Sequence, residues 1–486
     1  MLFNSFHFFI YFPLVVLVYF LLNYQYRKLF LLVASCYFYM VFIPYYILIL
    51  FGLIGFDFFA GIAIERTSAI KKRKILLALS IIANVGILGT FKYYNFFIDN
   101  VTIFCNYFDF NVPPVYYLNI LLPVGLSFHT FQSMSYTIEV YRGNQPAERN
   151  IITYALYVMF FPQLVAGPIE RPQHLLPQLK ANFDVDYSRI VYGLKQMLWG
   201  FFKKIVIADR LAVLVKQGYG DIDYHDGPSL LIYTYFFAIQ IYCDFSGYTD
   251  IAIGAAKVLG INLGENFRNP YFSKSIKEFW RRWHISLASW FRDYVYIPLG
   301  GKVVGRWRWF YNVMIVFLLS GFWHGANWTF IVWGALHGSY LIIGHFLKKT
   351  FMPMSYPIEN KRSLKAIILN IAKVIITFNL VAFAWVFFRA NNLLDAYDII
   401  TKITFFSDFD PKLSLSILRV NDFSSLIVTS IIVLIFIVSD YFMNQIVTQQ
   451  RFLPNRKIGY ALFATIFVLI LIFGHFTDTN FIYFQF

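Results

Sequence analysis

Two histidines, His324 and His337, stand inside the stretch SGFWHGANWTFIVWGALHG (residues 320–338), which is otherwise apolar enough for a membrane helix. Imidazole is costly to hold in hydrocarbon, so an ionisable residue at that depth marks a functional site by default. It also titrates near neutral pH and can move protons or hold a metal. A third candidate, His284, lies in EFWRRWHISL beside Arg281 and Arg282. A neutral imidazole next to guanidinium groups can accept a proton while the arginines hold an anionic substrate.

The motif WHGANW (Trp323–Trp328) surrounds His324 with residues that shape a pocket. Gly325 and Ala326 let backbone or substrate come close, and Asn327 can donate or accept beside a developing charge. A purely interhelical hydrogen bond is the competing role for a lone intramembrane histidine. The clustering of Trp323, His324, Asn327 and Trp328 favours chemistry. His337 would fall on nearly the opposite helix face from His324 if the helix ran unbroken, so a packing or supporting role is expected for it, with Gly334 the place where a turn could intervene. The stretch CDFSGYTDIAIG (Cys243–Gly254) puts Asp244 and Tyr248, and Ser246 and Asp250, at i,i+4. Such pairs can polarise a histidine or line a water path, and local capping around Gly247 serves as well. The other histidines, His7, His129, His174, His225, His345 and His475, read as structural. The chain has no HExxH, GxSxG or P-loop, which argues against a serine-esterase mechanism within it. Cys36, Cys105 and Cys243 lie far apart without CxxC spacing, so neither a disulfide framework nor a metal site is expected.

Elements able to hold these residues must cross a bilayer. Of 486 residues, 59% are hydrophobic and 14% charged, against about 25% charged in soluble proteins; the mean hydropathy is +0.58. Apolar runs approaching the roughly 20 residues of a transmembrane helix predict an all-α polytopic membrane protein forming a single domain over 1–486. About 12 spans are expected, near 6–22, 29–43, 45–64, 75–97, 120–138, 190–215, 229–257, 309–330, 332–347, 366–388, 426–443 and 458–475. The net charge of +15 comes mostly from short loops between spans, which is the positive-inside pattern and not a nucleic-acid groove.

Loop charges orient the chain. Arg27 and Lys28, Arg66 with Lys71–Lys74, Lys348, Lys349, Lys361, Arg362 and Lys365, and Arg451, Arg456 and Lys457 fall on one side; the loop 98–119, without Lys or Arg, and the acidic 218–227 fall on the other. The basic side is expected to be cytoplasmic and both termini to face outward. Residues 151–167 end in Pro162, Gly167 and Pro168, and 275–298 mix Lys277, Glu278, Arg281, Arg282, Arg292 and Asp293 with aromatic rings. Both are expected to be re-entrant or interfacial, which requires burial in protein or an aqueous cavity. The polar stretch 390–425 carries no readable motif.

Several stretches together carry a resemblance: MLFNSFHFFIYFP, LLPVGLSFHTFQSMSYTIEVYRG, FFPQLVAGPIERP, ENFRNPYFSKSIKEFWRRWHISLASWFRDYVYIPLGG, WHGANWTFIVWGALHG and the terminal FIYFQF. The chain resembles bacterial membrane-bound O-acyltransferases, in the branch that O-acetylates alginate and peptidoglycan. The resemblance implies spanning helices around a central tunnel lined by re-entrant helices. It implies His324 as the catalytic residue and His284 as its support; Trp323, Asn327, Trp328, Asp244, Tyr248 and Asp250 are the candidates that the motifs themselves offer for a substrate path. In this reading acetyl-CoA is the donor, met from the cytoplasm by Lys277, Arg281 and Arg282. The acetyl group goes to a polysaccharide acceptor, directly or through an extracytoplasmic SGNH-type partner with a nucleophilic serine, and the bacterial inner membrane is the setting. The alternative is a carrier of a lipid-linked sugar, with the histidines as a proton relay.

Overall fold

The computed structural model describes all residues except 111–115, 121, 124, 166, 352–362, 407–422, 448–455, 477–480 and 483–486. Most of the polar stretch beyond Phe406, the basic residues Lys361, Arg362 and Arg451, and the last four residues of the FIYFQF motif therefore lie outside the described residues.

Among the described residues the chain is helical and contains no strand. In order come α1 (Phe6–Leu21), α2 (Tyr24–Met40), α3 (Tyr46–Arg66), α4 (Ile70–Leu88), α5 (Tyr94–Tyr107), α6 (Leu126–Arg142), α7 (Ile151–Met159), α8 (Phe161–Leu164), α9 (Pro172–Lys180) and α10 (Tyr187–Phe201). They are followed by α11 (Asp209–Gly220), α12 (Gly227–Val258), α13 (Ile276–Phe279), α14 (Ile285–Phe291), α15 (Arg306–His324), α16 (Trp328–Phe351), α17 (Leu364–Arg389), α18 (Leu393–Phe405), α19 (Phe423–Val447) and α20 (Arg456–Phe473). The all-α fold class read from the sequence is borne out, while the expected spans 190–215 and 309–330 each run across more than one helical element.

Four stretches are long and apolar enough to cross a membrane, at 46–66, 70–107, 328–347 and 364–389, and α1, α19 and α20 hold shorter apolar stretches. Hydropathy passes over other expected spans for a physical reason. Helix α6 buries His129, Thr130, Gln132 and Ser133, and the α10–α11 segment buries Lys203, Lys204 and Asp209. Such polar side chains face protein neighbours, not lipid.

The helices group into two compact units, residues 1–197 with 248–264, and residues 198–247 with 265–486. In the first, α3, α4 and α6 pack together, tied by Ser80 and Asn84, which donate to the buried carboxylate of Asp57 at 2.7 and 2.8 Å. A π turn at Gly89–Tyr93 joins α4 to α5, so the helix continues to Tyr107. This corrects the expected loop 98–119, whose first ten residues are helical. Residues 151–167 break at Phe160 into α7 and α8, as the Pro/Gly pattern suggests.

In the second unit, α15 and α16 form a tight antiparallel hairpin. A Cβ on Gly321 would collide with the Phe330 carbonyl, and one on Gly334 with that of Phe317, so glycine is what lets the backbones approach. The helix breaks at Gly325–Asn327, not near residue 331 or at Gly334. The cause is local: Gly325 is extended at φ −163°, ψ 153°, and Asn327 Oδ1 accepts the Thr329 N–H at 3.0 Å, a side-chain cap that starts α16. Segment 275–298 is interrupted at 280–284, between α13 and α14, and α14 runs on into a π turn at Arg292–Tyr296.

Candidate active site

The break after His324 decides the site. As the last residue of α15, His324 sits where the chain turns back, and its ring meets three aromatic side chains. Trp323 stands at 5.0 Å, Trp333 at 5.0 Å and Phe388 at 5.2 Å between centroids, all edge-on. The imidazole is 4% exposed. Edge-to-face packing of this kind is the preferred geometry of aromatic pairs and fixes the orientation of the ring.

His284 also meets the Trp323 indole, at 6.3 Å, and packs edge-on against Phe245 at 4.7 Å. Its backbone is left-handed, at φ 43° and ψ 56°. That conformation costs a non-glycine residue on the order of 1–3 kcal/mol and persists where the surroundings enforce it. The enforcement is visible in the loop that carries it. Ile285 N–H donates to the Asn266 carbonyl at 3.0 Å, and Arg268 N–H to the Arg282 carbonyl at 3.0 Å. Asn266 Oδ1 also accepts from the Ser286 hydroxyl at 2.6 Å. The loop is stapled at its base, so His284 is held in place by backbone strain that serves a position.

His337 joins the same cluster. Four residues after Trp333 on α16, it lies 4.9 Å from that indole, while His324 touches Trp333 from its own side. Trp280, which caps the C-terminus of α13, donates its indole N–H to His337 Nδ1 at 3.3 Å. Trp283 packs on Trp385 at 5.1 Å, and Trp385 on Trp333 at 5.8 Å. His337 thus touches the same indole that packs on His324.

The other sequence-selected residues separate into those brought here and those placed elsewhere. Trp323 is shared by both histidines. Asn327 caps α16, and its amide donates to the Asn391 carbonyl at 2.8 Å, while Trp328 is half exposed. Asp244 is buried but spends its oxygens elsewhere than on an imidazole. One pairs with Lys204 at 2.8 Å, and Lys204 also pairs with Asp209 at 2.8 Å; the other accepts the Ile482 N–H at 2.7 Å. Tyr248 and Asp250 belong to the first unit, where Tyr248 packs on Phe3 at 4.5 Å and Asp250 accepts from Gln196 at 3.1 Å. Arg282 is tied to Glu278 at 2.6 Å and to the Asn269 carbonyl at 3.4 Å; Lys277 and Arg281 are exposed.

Sequence reasoning missed Trp333, Trp385 and Phe388, and the buried Lys204 with Asp209. In a chain with 57 Phe and 10 Trp no single ring announces itself. The i+4 spacing of Trp333 and His337 was the available signal. Outside the spans, His174 Nδ1 bonds Glu170 at 2.6 Å, and this bond raises the His174 pKa. Among the described residues no group of three or more His, Cys, Asp or Glu side chains could hold a metal.

The arrangement offers a proton acceptor, His324, at a helix end inside an aromatic enclosure, with a second imidazole, His284, on the same Trp323 indole. Comparison with known proteins places the chain in a family. The model of the membrane-bound O-acyltransferase family matches residues 145–388, which include His284, His324 and His337. The chain is 39% identical over 396 residues to the probable alginate O-acetylase AlgI of Pseudomonas aeruginosa, covering 80% of this chain and 72% of the relative. It is 36% identical over 428 residues to a peptidoglycan O-acetyltransferase of Helicobacter pylori, covering 81% and 77%. A teichoic acid D-alanyltransferase of Bacillus subtilis is 28% identical over 283 residues, covering 56% and 70%. With an enzyme family matched, the carrier reading is set aside: this chain belongs to the membrane-bound O-acyltransferase family and is an acyltransferase of the membrane.

Proposed function

We propose that the protein is an O-acetyltransferase that takes acetyl groups from a cytoplasmic thioester, acetyl-CoA, and passes them across the inner membrane for esterification of an envelope or secreted polysaccharide. The observation that carries the reading is His324, the terminal residue of α15, held edge-on by Trp323, Trp333 and Phe388 with His284 against the same Trp323. His324 accepts the proton of the attacking hydroxyl. His284, locked by the stapled loop, fixes Trp323 and thereby one wall of the site. Lys277 and Arg281, exposed on the His284 segment, meet the phosphates of the donor, whereas Arg282 holds the segment itself. Relatives that acetylate alginate and peptidoglycan support a polysaccharide hydroxyl as the final acceptor. An extracytoplasmic SGNH-type partner, receiving the acetyl group on its serine, fits a membrane subunit that has no GxSxG of its own. The single domain 1–486, with the basic loops cytoplasmic and both termini outside, completes the proposal.

The test is reconstitution in proteoliposomes with labelled acetyl-CoA on the cytoplasmic side. Labelled ester on an acceptor polysaccharide, or on the partner's serine, is the expected result. Movement of a lipid-linked sugar without any transfer of label would overturn it.

A further inference from the structure

Three buried N–H donors in the aromatic cluster have no acceptor among the described residues: Trp333 Nε1, Trp385 Nε1 and His337 Nε2. The three side chains are fully buried and mutually in contact. Trp333 lies 4.9 Å from His337 and 5.8 Å from Trp385, and His337 lies 6.5 Å from Trp385. The donor character of His337 follows from its partner. Its Nδ1 accepts the Trp280 N–H, so the neutral ring carries its own proton on Nε2. Indole nitrogens donate only. Buried donors are satisfied in the great majority of cases, and an exception calls for an explanation. Three such donors lie in one cluster of touching rings, and His324 contacts Trp333 in it.

We propose that Trp333, Trp385 and His337 form a donor box for the carbonyl oxygen of the transferred acyl group. Resting on the acyl-transfer reading above, the proposal names which residues receive the acyl donor. The acceptor hydroxyl gives its proton to His324 as its oxygen bonds to the carbonyl carbon. The carbonyl electron pair moves onto oxygen, where the box stabilises it. That pair then returns, the carbon–sulfur bond breaks, and the departing thiolate takes the proton from His324. Donors aimed at the oxygen that becomes charged act on the transition state more than on the ground state. Their loss therefore lowers kcat and leaves the donor KM nearly unchanged.

The test replaces Trp333 and Trp385, singly, with benzothienylalanine, which keeps the shape of indole and removes its N–H, and changes His337→Phe. Each is expected to lower kcat for acyl transfer about 10- to 100-fold, with the donor KM within about threefold. A second readout needs no turnover: the infrared stretch of a ¹³C-labelled acyl carbonyl bound to His324→Ala protein. That band should lie lower than in water and move back up when each substitution is added. Wild-type kcat in all three variants, or an unshifted carbonyl band in the His324→Ala protein, overturns the donor box. If His324→Ala itself transfers acyl groups at the wild-type rate, the acyl-transfer reading fails first, and the two failures are thereby told apart.

Discussion

Trp280 donates its indole N–H to Nδ1 of His337 across 3.3 Å, joining the short helix that precedes His284 to the hairpin that carries His324. The bond fixes the tautomer of His337 and the approach of α13 to α16. Trp280→Phe keeps the ring and removes the donor. One neutral hydrogen bond is worth about 1 kcal/mol net, so a fall in acyl-transfer rate of about fivefold is expected. His337→Gln, which keeps an acceptor for Trp280, should retain more activity than His337→Leu. Equal activity in Gln and Leu variants of matched membrane content would show that the bond has no part in the reaction.

For His324 the expectation is larger. The ring is held by carbon contacts with Trp323, Trp333 and Phe388, so His324→Ala removes a base while the hairpin stays closed by its glycines. Loss of a general base lowers rates about 10²- to 10⁴-fold. Ester-linked acetate on the cell envelope, measured at equal membrane content, checks this. A wild-type level would remove His324 from the reaction.

How much of this was legible in the sequence differs residue by residue. The WHGANW motif pointed to His324 because its neighbours are unusual for a span, and the broken character of 151–167 and 275–298 followed from proline, glycine and charge. The turn at Gly325–Asn327 was missed because glycine alone, at 325 or 334, does not mark a helix end; the Asn327 cap is what chooses. Asp244, Tyr248 and Asp250 were read together because they are close in sequence on one helix. The fold divides them, giving Asp244 to Lys204 and the other two to the first unit. Aromatic partners such as Trp385 come from helices distant in sequence, and no local pattern carries that contact.

The cations of segment 277–282 do different work. Lys277 and Arg281 are exposed, whereas Arg282 is committed to Glu278 and the Asn269 carbonyl. Lys277→Ala with Arg281→Ala should raise the KM for acetyl-CoA several-fold and leave the thermal midpoint in place, because solvent-exposed charges contribute about 0–1 kcal/mol to stability. Arg282→Ala should loosen the loop and lower kcat instead. The measurement is steady-state kinetics in proteoliposomes. A donor KM untouched by the double substitution would show that these side chains do not meet the donor.

Lys204 lies between Asp209 and Asp244, each at 2.8 Å, with all three side chains buried. Lys204→Met leaves two carboxylates facing each other without a counter-charge. Removing one partner from a buried ion pair costs about 3–5 kcal/mol, so the thermal midpoint in detergent should fall sharply. Adding Asp209→Asn and Asp244→Asn to Lys204→Met removes the stranded charges and should recover part of the loss. If Lys204→Met melts with the wild type, the triad carries no stability.

Sidedness can be tested on a single helical rod. From Ile70 to Tyr107 the chain is helical for 38 residues, counted through the π turn, or about 57 Å at 1.5 Å per residue. The hydrocarbon core is about 30 Å thick, so a helix that crosses it leaves its two ends on opposite faces. The start carries Lys71, Lys72, Arg73 and Lys74 in its first turns, just after Arg66 at the end of α3, and the end, 94–107, carries no Lys or Arg, which puts the start in the cytoplasm. Cys36, Cys105 and Cys243 are first replaced by serine. A cysteine at Tyr107, exposed at the end of α5, should then react with an impermeant maleimide in intact cells or spheroplasts. A cysteine at Ser68, exposed before α4, should react only after lysis. Reaction of both before lysis would mean that this rod does not cross the bilayer, and the reverse pattern would put the basic loops outside. In that reversed case Lys277 and Arg281 would have to meet a donor other than cytoplasmic acetyl-CoA, and transfer across the membrane would lose its direction.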